Sequence, residues 1–359
     1  MARIVTVYAS NRSVELTDMS YIRWFRISEA LARLGHDVDI ATAEFKWRWR
    51  QPVVPMGPNL RRVPLSRVRW RDYDVVKTLF HQGFQTLQRF GGRGHPFIVA
   101  KLGSVVAPTD RPGIYFYGRQ RAAMFGTQRA IDAHSRYVTV LSEPARALWA
   151  ECFGDADNVL LVPGAADRDV PAPGRDPYPD DGRPRCVFSG SFYSDADQPE
   201  ANRTLVEKMN RLGEALDRRG LRLYVVGRGD ASRLDPRWVT YLGVVPHDRS
   251  WDYLHFASVG VVLSAGAFMH NNESTKIYHY LRVGLPVVSE AGFPNDHVVR
   301  ESKLGFVVPA GELETLAARI VDAAGTPWNR DAAIAYILAN HTWDARARIY
   351  DGLFRGTSA

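Results

Sequence analysis

Apolar, β-branched stretches alternate with amphipathic helical stretches along most of this chain of 359 residues. The opening segment Ile4–Tyr8 predicts a strand, and residues 19–34 repeat apolar residues at helical spacing until Gly35 ends the helix. Parallel strands need a crossover, usually a helix, between them, so this alternation predicts parallel sheets with helices on both faces. The predicted fold class is therefore α/β, with doubly wound sheets.

One segment, residues 171–185, interrupts the alternation with a run rich in Pro, Gly and Asp. Such a composition is typical of a linker. The length is sufficient for two domains. We therefore predict a first domain at 1–170, a linker at 171–185, a second domain at 186–330 and further helices at 331–359.

Composition and cysteine usage indicate a cytoplasmic protein. No apolar run reaches the roughly 18 residues that span a bilayer, and the N-terminus reads as a strand rather than a signal peptide. Cys152 and Cys186 are the only cysteines, which suggests reduced thiols. No Cys/His cluster has the spacing of a metal site, so we expect no metal.

Positive charge is concentrated in the first half of the chain. Residues 1–170 contain 24 Lys and Arg against 16 Asp and Glu, whereas residues 171–359 contain 22 against 23. The excess is densest where arginines and tryptophans interleave, at Trp47, Arg48, Trp49 and Arg50 and again at Trp70 and Arg71. Indoles and cations together suit an anionic membrane surface or a lipid-linked acceptor. A polyanion such as nucleic acid and a simple solvated basic face are the alternatives.

The segment Asn271–Ser289 carries the strongest functional signal. It predicts a helix that Ser274 and Thr275 cap at its start and that Gly284 and Pro286 end. Lys276 lies in the first turn, where a cation is unfavourable beside the positive end of the helix dipole. This breach of a local rule suggests that an anion such as a diphosphate is bound there. The alternative is an ordinary helix-to-strand step with a solvated lysine.

Several motifs in order resemble the GT-B glycosyltransferases, and the resemblance covers nearly the whole chain. The segments that carry it are Ala32–Val38, Val138–Glu143, Val162–Asp167, Phe188–Ser191, Leu223–Gly229 and Tyr241–Asp248. The resemblance implies two Rossmann-like domains that face each other across a cleft. The first would bind the acceptor, the second would bind a nucleotide-sugar donor, and the C-terminal helices would cross back to the first domain.

Within that fold, Lys276–Leu281 followed by Gly284–Val288 is similar to the donor-site helix of family 4-like enzymes and, more closely, of the xanthan-type glucuronosyltransferase group (family 70-like). This resemblance implies that Lys276 contacts the diphosphate and that His279 contacts the ribose. It also implies that Ser274 and Thr275 offer hydroxyls and amides to phosphate or sugar. The predicted donor site is completed by these residues: Gly190, Ser191, Phe192, Arg228, Asn272 and Glu273.

One departure from the family pattern concerns the reaction itself. Retaining family 4 enzymes carry two glutamates where this chain has Asn271 and His279. Their absence favours inversion, which requires a general base to deprotonate the acceptor hydroxyl. Asp18 and Glu15 in the first loop are the candidate bases, with His81 behind them. Each could instead be a helix cap or a solvated charge.

The sequence thus predicts a metal-independent glycosyltransferase that moves a sugar from a nucleotide-sugar, with UDP favoured. The expected acceptor is a lipid-linked or surface-glycan intermediate, and the nucleotide-sugar is a substrate rather than a cofactor. The enzyme would be cytoplasmic or peripheral at the inner face of the membrane. Alternatives are a natural-product or nucleic-acid glycosyltransferase, a nucleotide-sugar 2-epimerase, and a degenerate protein that binds nucleotide-sugar without turnover.

Overall fold

The structure, a computed structural model, describes residues 1–8, 19–42, 52–108, 118–154, 156–194, 198–266 and 271–355. The chain divides into two compact units. The first unit combines Met1–Pro163 with Trp343–Ala359, and the second is the continuous segment Gly164–Thr342.

The first unit contains an eight-stranded sheet. Its strands are β1 (Arg3–Val7), β2 (Asp37–Thr42), β3 (Val54–Gly57), β4 (Leu60–Pro64), β5 (Val75–Leu79), β6 (Ile98–Lys101), β7 (Tyr137–Val140) and β8 (Val159–Leu161). Its helices are α1 (Met19–Arg33), α2 (Phe80–Arg89), α3 (Gly118–His134), α4 (Glu143–Phe153) and α11 (Trp343–Arg355). The strand order is β3-β4-β2-β1-β5-β6-β7-β8, and only the edge pair β3–β4 is antiparallel. Val5, Val76 and Ile98 are fully buried on neighbouring strands, as expected for a sheet covered on both faces.

The second unit contains a six-stranded, fully parallel sheet. Its strands are β9 (Arg185–Ser189), β10 (Arg222–Val226), β11 (Val239–Tyr241), β12 (Val259–Val262), β13 (Val287–Glu290) and β14 (Gly305–Val308). Its helices are α5 (Pro199–Asp217), α6 (His247–His255), α7 (Thr275–Arg282), α8 (His297–Ser302), α9 (Leu313–Gly325) and α10 (Arg330–Asn340). The order β11-β10-β9-β12-β13-β14 places β9 near the centre. Successive strand residues point to opposite faces, so Val187 and Phe188 enter two separate apolar clusters.

The predicted α/β class, with helices alternating with parallel strands, is confirmed. Strands β3, β4 and β8 have no counterpart in the predicted alternation. The sequence also predicts a strand at 113–117, which lies outside the described residues.

The predicted linker at 171–185 differs from what the structure places there. The first unit ends at Pro163 rather than at residue 170, and residues 171–185 belong to the second unit. Tyr178 is 7% exposed, and its ring centroid lies 4.8 Å from that of Tyr224. Its hydroxyl donates to the backbone oxygen of Tyr253 at 2.7 Å. A buried aromatic anchor therefore holds this Pro-rich segment on the second unit.

The C-terminal helices belong to different units. In α10, Ala333 and Ile337 are fully buried in an apolar cluster of the second unit. In α11, Asp344 pairs with Arg33 of α1 at 2.8 Å, and the Tyr350 hydroxyl lies 3.0 Å from that of Thr139. None of the helices in the described part of the chain combines the length and apolar character needed to cross a bilayer.

Replacing Tyr178 by alanine tests whether residues 171–185 are packed. The loss of a buried aromatic ring and its hydrogen bond should lower the free energy of unfolding by about 3 kcal/mol in urea titrations. Asp180→Ala, an exposed change in the same segment, is the matched control and should have little effect. A Tyr178→Ala variant as stable as the control would show that the segment is a free linker.

Candidate functional site

The residues of interest in the second unit gather at the carboxyl edge of its sheet. Gly190 follows β9, Gly227 follows β10, and α7 begins after the loop that leaves β12. Open parallel sheets bind ligands at this edge, because the loops there diverge and helix amino ends point towards it.

The loops after β9 and β10 contact each other so closely that two glycines are required. Gly190 has a φ of 137° and donates its backbone N–H to Val226 at 2.7 Å. Gly227 also has a φ of 137°, and a Cβ there would lie only 2.3 Å from the Gly190 oxygen. Both positions have a backbone conformation that other residues rarely adopt, and at Gly227 a Cβ would also force a backbone shift. The two loops therefore form one rigid floor.

Lys276 of α7 lies across this floor. A Cβ at position 190 would stand 2.8 Å from the Lys276 Cε, so the lysine stem occupies the space that the glycine leaves. Its Nζ sits 4.6 Å from the centroid of the Phe188 ring. Among the described residues, no carboxylate pairs with it, and burial lowers its pKa to about 8. This half-buried cation is therefore prepared to receive an anion.

The amino end of α7 is fixed by a residue that the sequence reasoning missed. Asn295 accepts a hydrogen bond from the Ser274 backbone N–H at 3.0 Å and donates one to the Ser274 oxygen at 2.9 Å. Ser274 stands at the N-cap position of α7, as predicted, but its side chain makes no cap hydrogen bond. Asn295 is fully buried and lies 21 residues from Ser274 in the sequence, so no local sequence pattern predicts this contact.

Ser191 and Arg228, both predicted donor-site residues, lie on the same two loops. Phe192 donates its N–H to the Arg228 oxygen at 2.9 Å, which joins the Gly190–Ser191 loop to the loop after β10. The side chains of Ser191 and Arg228 are exposed. Arg228 has no ion-pair partner among the described residues, so the loop presents a second available cation.

The structure assigns two predicted donor ligands to other tasks. Phe192 is fully buried, and a Cβ at Gly229 would overlap its ring, so this side chain belongs to the core. The Glu273 carboxylate accepts hydrogen bonds from the Tyr278 hydroxyl at 2.8 Å and from the Gly164 N–H. Glu273 therefore anchors the segment before α7. Asn272, which precedes Glu273, and Thr275, the first residue of α7, are half-buried.

His279 lies one helical turn beyond Lys276, in a cluster of rings. Its ring centroid is 5.1 Å from that of Trp251 and 5.8 Å from that of His247. The His247 Nε2 lies 3.1 Å from a carboxylate oxygen of Asp167, and both side chains are buried. The sequence analysis did not select His247 or Asp167, which are 80 positions apart.

The predicted catalytic bases find no support in the described part of the first unit. Asp18 and Glu15 lie outside the described residues. His81 is 3% exposed, and its Nε2 lies 3.1 Å from the Gln128 amide oxygen. Burial lowers the pKa of His81 to about 4, so it is a poor base at neutral pH. The structure therefore gives His81 a buried contact with Gln128, which does not favour a role as a base.

The predicted basic surface is split. Trp47, Arg48, Trp49 and Arg50 lie outside the described residues, whereas Trp70 and Arg71 line an open cavity of about 680 Å³. This cavity lies between residues 68–73, before β5, and residues 91–96, before β6. It therefore stands at the amino edge of the sheet, opposite the carboxyl edge where open parallel sheets bind ligands. Arg69 and Arg71 are exposed and without ion-pair partners among the described residues.

No group of three or more His, Cys, Asp or Glu side chains is arranged to hold a metal ion in the described ranges.

Comparisons with known proteins agree with this architecture. Residues 183–325 match the family model described as glycosyl transferases group 1. No curated protein matches the sequence. Among solved structures, a sucrose-phosphate synthase from Thermosynechococcus elongatus is 18% identical with a TM-score of 0.70, over 99% of this chain and 98% of that chain.

Two other solved structures are similar over nearly the whole chain. A glycosyltransferase involved in avilamycin A biosynthesis is 17% identical with a TM-score of 0.65, over 99% of this chain and 97% of that chain. An Anabaena protein solved in complex with UDP-glucose is 13% identical with a TM-score of 0.68, over 99% and 100%. The fold is thus that of the GT-B enzymes, and residues 183–325 in the second unit are similar to the glycosyl transferases group 1 family.

The pKa of Lys276 can be measured by acylation of its amine, since only the neutral form reacts. Labelling followed by mass spectrometry across pH should give a midpoint near 8 for Lys276 in the folded protein. In denatured protein the same residue should titrate near the ordinary lysine value of about 10.4. Equal midpoints in both samples would contradict the desolvated position above the glycine floor.

Proposed function

We propose that this glycosyltransferase moves a sugar from a UDP-sugar to an acceptor hydroxyl, with the donor in the second unit and the acceptor in the first. The observation that carries the proposal is Lys276, a desolvated cation without a described carboxylate partner at a helix start and above a glycine floor. The Anabaena structure that shares this fold was solved with UDP-glucose, which supports UDP as the nucleotide.

The same residues supply the chemistry of the leaving group. As the bond between sugar and diphosphate breaks, negative charge grows on the departing phosphate oxygen. Lys276 and the amino end of α7 are already in place to stabilise that charge, so little reorganisation is needed during the reaction. Arg228, exposed on the neighbouring loop, is available to the diphosphate or to a sugar carboxylate. We therefore propose metal-independent catalysis.

The stereochemical proposal follows from two side chains. Asn271 and His279 occupy the positions where retaining relatives of family 4 carry glutamates, and Glu273 is held by Tyr278 and Gly164. With no carboxylate at these two positions, inversion is favoured. Inversion requires a base on the acceptor side, and with His81 removed, Asp18 and Glu15 remain the candidates.

The cavity at the amino edge of the first sheet supports a membrane role rather than an acceptor pocket. Residues 52–108 contain nine Lys and Arg against two Asp and Glu. Trp70 forms a wall of the cavity, with Arg69 and Arg71 exposed beside it. An indole flanked by available cations suits an anionic lipid surface. We propose that this edge contacts the membrane in which a lipid-linked acceptor is embedded.

Lys276→Ala tests the donor site. Loss of a charge-assisted hydrogen bond to phosphate should weaken UDP binding by about 1.5–3 kcal/mol, or about 10- to 150-fold in Kd, by calorimetry. Lys276→Arg keeps the charge and should lose less. Lys303→Ala, an exposed lysine of the same unit, is the matched control. UDP affinity equal to wild type in Lys276→Ala would remove the lysine from the site.

Vesicle sedimentation tests the membrane surface. The Arg69→Gln/Arg71→Gln double variant should bind phosphatidylserine-containing vesicles about 30-fold more weakly, at about 1 kcal/mol per arginine. Arg218→Gln/Arg237→Gln removes the same charge from exposed positions of the second unit and serves as the control. Equal binding by both double variants, or none by the wild type, would reject the proposed surface.

A further inference from the structure

Beside the lysine site lies a buried histidine–aspartate pair to which the proposed chemistry gives no task. His247, the first residue of α6, is 8% exposed and Asp167 is 2% exposed. His247 Nε2 and Asp167 Oδ2 are 3.1 Å apart. An ionised carboxylate only accepts hydrogen bonds, so Nε2 carries the proton and donates it. The pair therefore fixes both the orientation and the tautomer of the ring.

The other nitrogen of His247 is left for a ligand. The tautomer that gives its Nε2–H to Asp167 presents a lone pair at Nδ1, and no described residue donates to Nδ1. A lone pair accepts from a hydroxyl or a ring N–H, but it cannot pair with a phosphate oxygen, which also only accepts. A ribose or a nucleobase supplies such donors.

The location of His247 fits the nucleoside end of a nucleotide whose diphosphate meets Lys276. Residue 279 lies three positions along α7 from Lys276, a rise of about 4.5 Å on the same helix face. The His247 ring is 5.8 Å from that of His279 and 5.5 Å from that of Trp251. Along one turn of α7, the side chains that line this face thus change from the cation of Lys276 to the rings of His279, His247 and Trp251. Such rings suit a flat heterocycle and its sugar.

The same helix holds the aspartate. Arg282, in the last turn of α7, donates from Nε to the Asp167 backbone oxygen at 3.0 Å and from its terminal nitrogen to the Arg168 oxygen. Helix α7 therefore carries Lys276 and also holds the backbone of the aspartate whose carboxylate orients His247.

We infer that His247 recognises the nucleoside part of the donor through Nδ1 and that Asp167 is its positioning residue. This inference rests on the proposed function, since it takes the diphosphate to be at Lys276. His247 on α6 and Asp167, which precedes the Pro-rich segment 171–185, would thus distinguish a nucleoside diphosphate from a diphosphate without a nucleoside.

The test compares a nucleoside diphosphate with pyrophosphate, which lacks the nucleoside. A thermal-shift screen of UDP, GDP and TDP first identifies the nucleotide that wild type binds, and calorimetry then measures both ligands. His247→Ala should bind the nucleotide about 10-fold more weakly, the factor expected for one lost hydrogen bond, and pyrophosphate within twofold of wild type. His247→Asn, which keeps an acceptor near the Nδ1 position, should retain most of the affinity.

Asp167 is tested by rescue. Asp167→Ala should reproduce the nucleotide-selective loss, whereas Asp167→Asn, which still accepts from Nε2–H, should largely restore binding. His297→Ala, an exposed histidine of the same unit, is the matched control, and thermal melting confirms that each variant is folded.

Two results would overturn the inference: a folded His247→Ala variant with wild-type nucleotide affinity, or one that loses pyrophosphate binding equally. Either would leave the proposed function in place, provided that Lys276→Ala weakens both ligands. Wild-type protein that binds neither nucleotide nor pyrophosphate would instead reject the proposed function itself, and the inference with it.

Discussion

The arrangement of the second unit depends on the contact between Gly190 and Lys276. The side chain of Lys276 passes over the backbone of Gly190, where the Cβ of any other residue would collide with it. A second glycine, Gly227, allows the loop after β10 to pack against the backbone of Gly190. The ammonium group is thereby held over the Phe188 ring, half-buried and away from any described carboxylate. Desolvation of a cation is unfavourable by itself, so the unit bears a cost that an anionic ligand would offset.

The surrounding contacts keep that arrangement rigid. Asn295 holds the backbone at Ser274, Glu273 holds the backbone at Gly164, and Arg282 holds that at Asp167. These three contacts tie both ends of α7 to segments distant in the sequence. A site whose groups are fixed before the ligand arrives loses little entropy on binding. The floor of the site is therefore defined by backbone geometry as much as by its charged side chains.

The predictable features were those with a local physical signature. The alternation of strands and helices predicted the α/β class. Lys276 was selected because a cation in the first turn of a helix is unfavourable beside the positive end of the helix dipole. Features set by distant packing were missed or misread. Phe192 was predicted as a donor-site residue because it follows the Gly190–Ser191 loop. Its ring instead packs into the core, in the space left by the missing side chain of Gly229. Pro and Gly content suggested a linker at 171–185, yet one residue, Tyr178, anchors it. His247 and Asp167 meet only in the folded unit.

The division of the chain also determines the order in which it can fold during synthesis. The second unit is continuous, but the first unit is completed only by α11 at the end of the chain. Tyr350 of that helix covers Lys77, a buried lysine in the middle of β5, with 4.6 Å between Nζ and the ring centroid. Until α11 has been synthesised, this face of the first sheet lacks its cover. The second unit can therefore finish folding before the first, and a premature stop after residue 342 would spare the second unit while leaving the first incomplete.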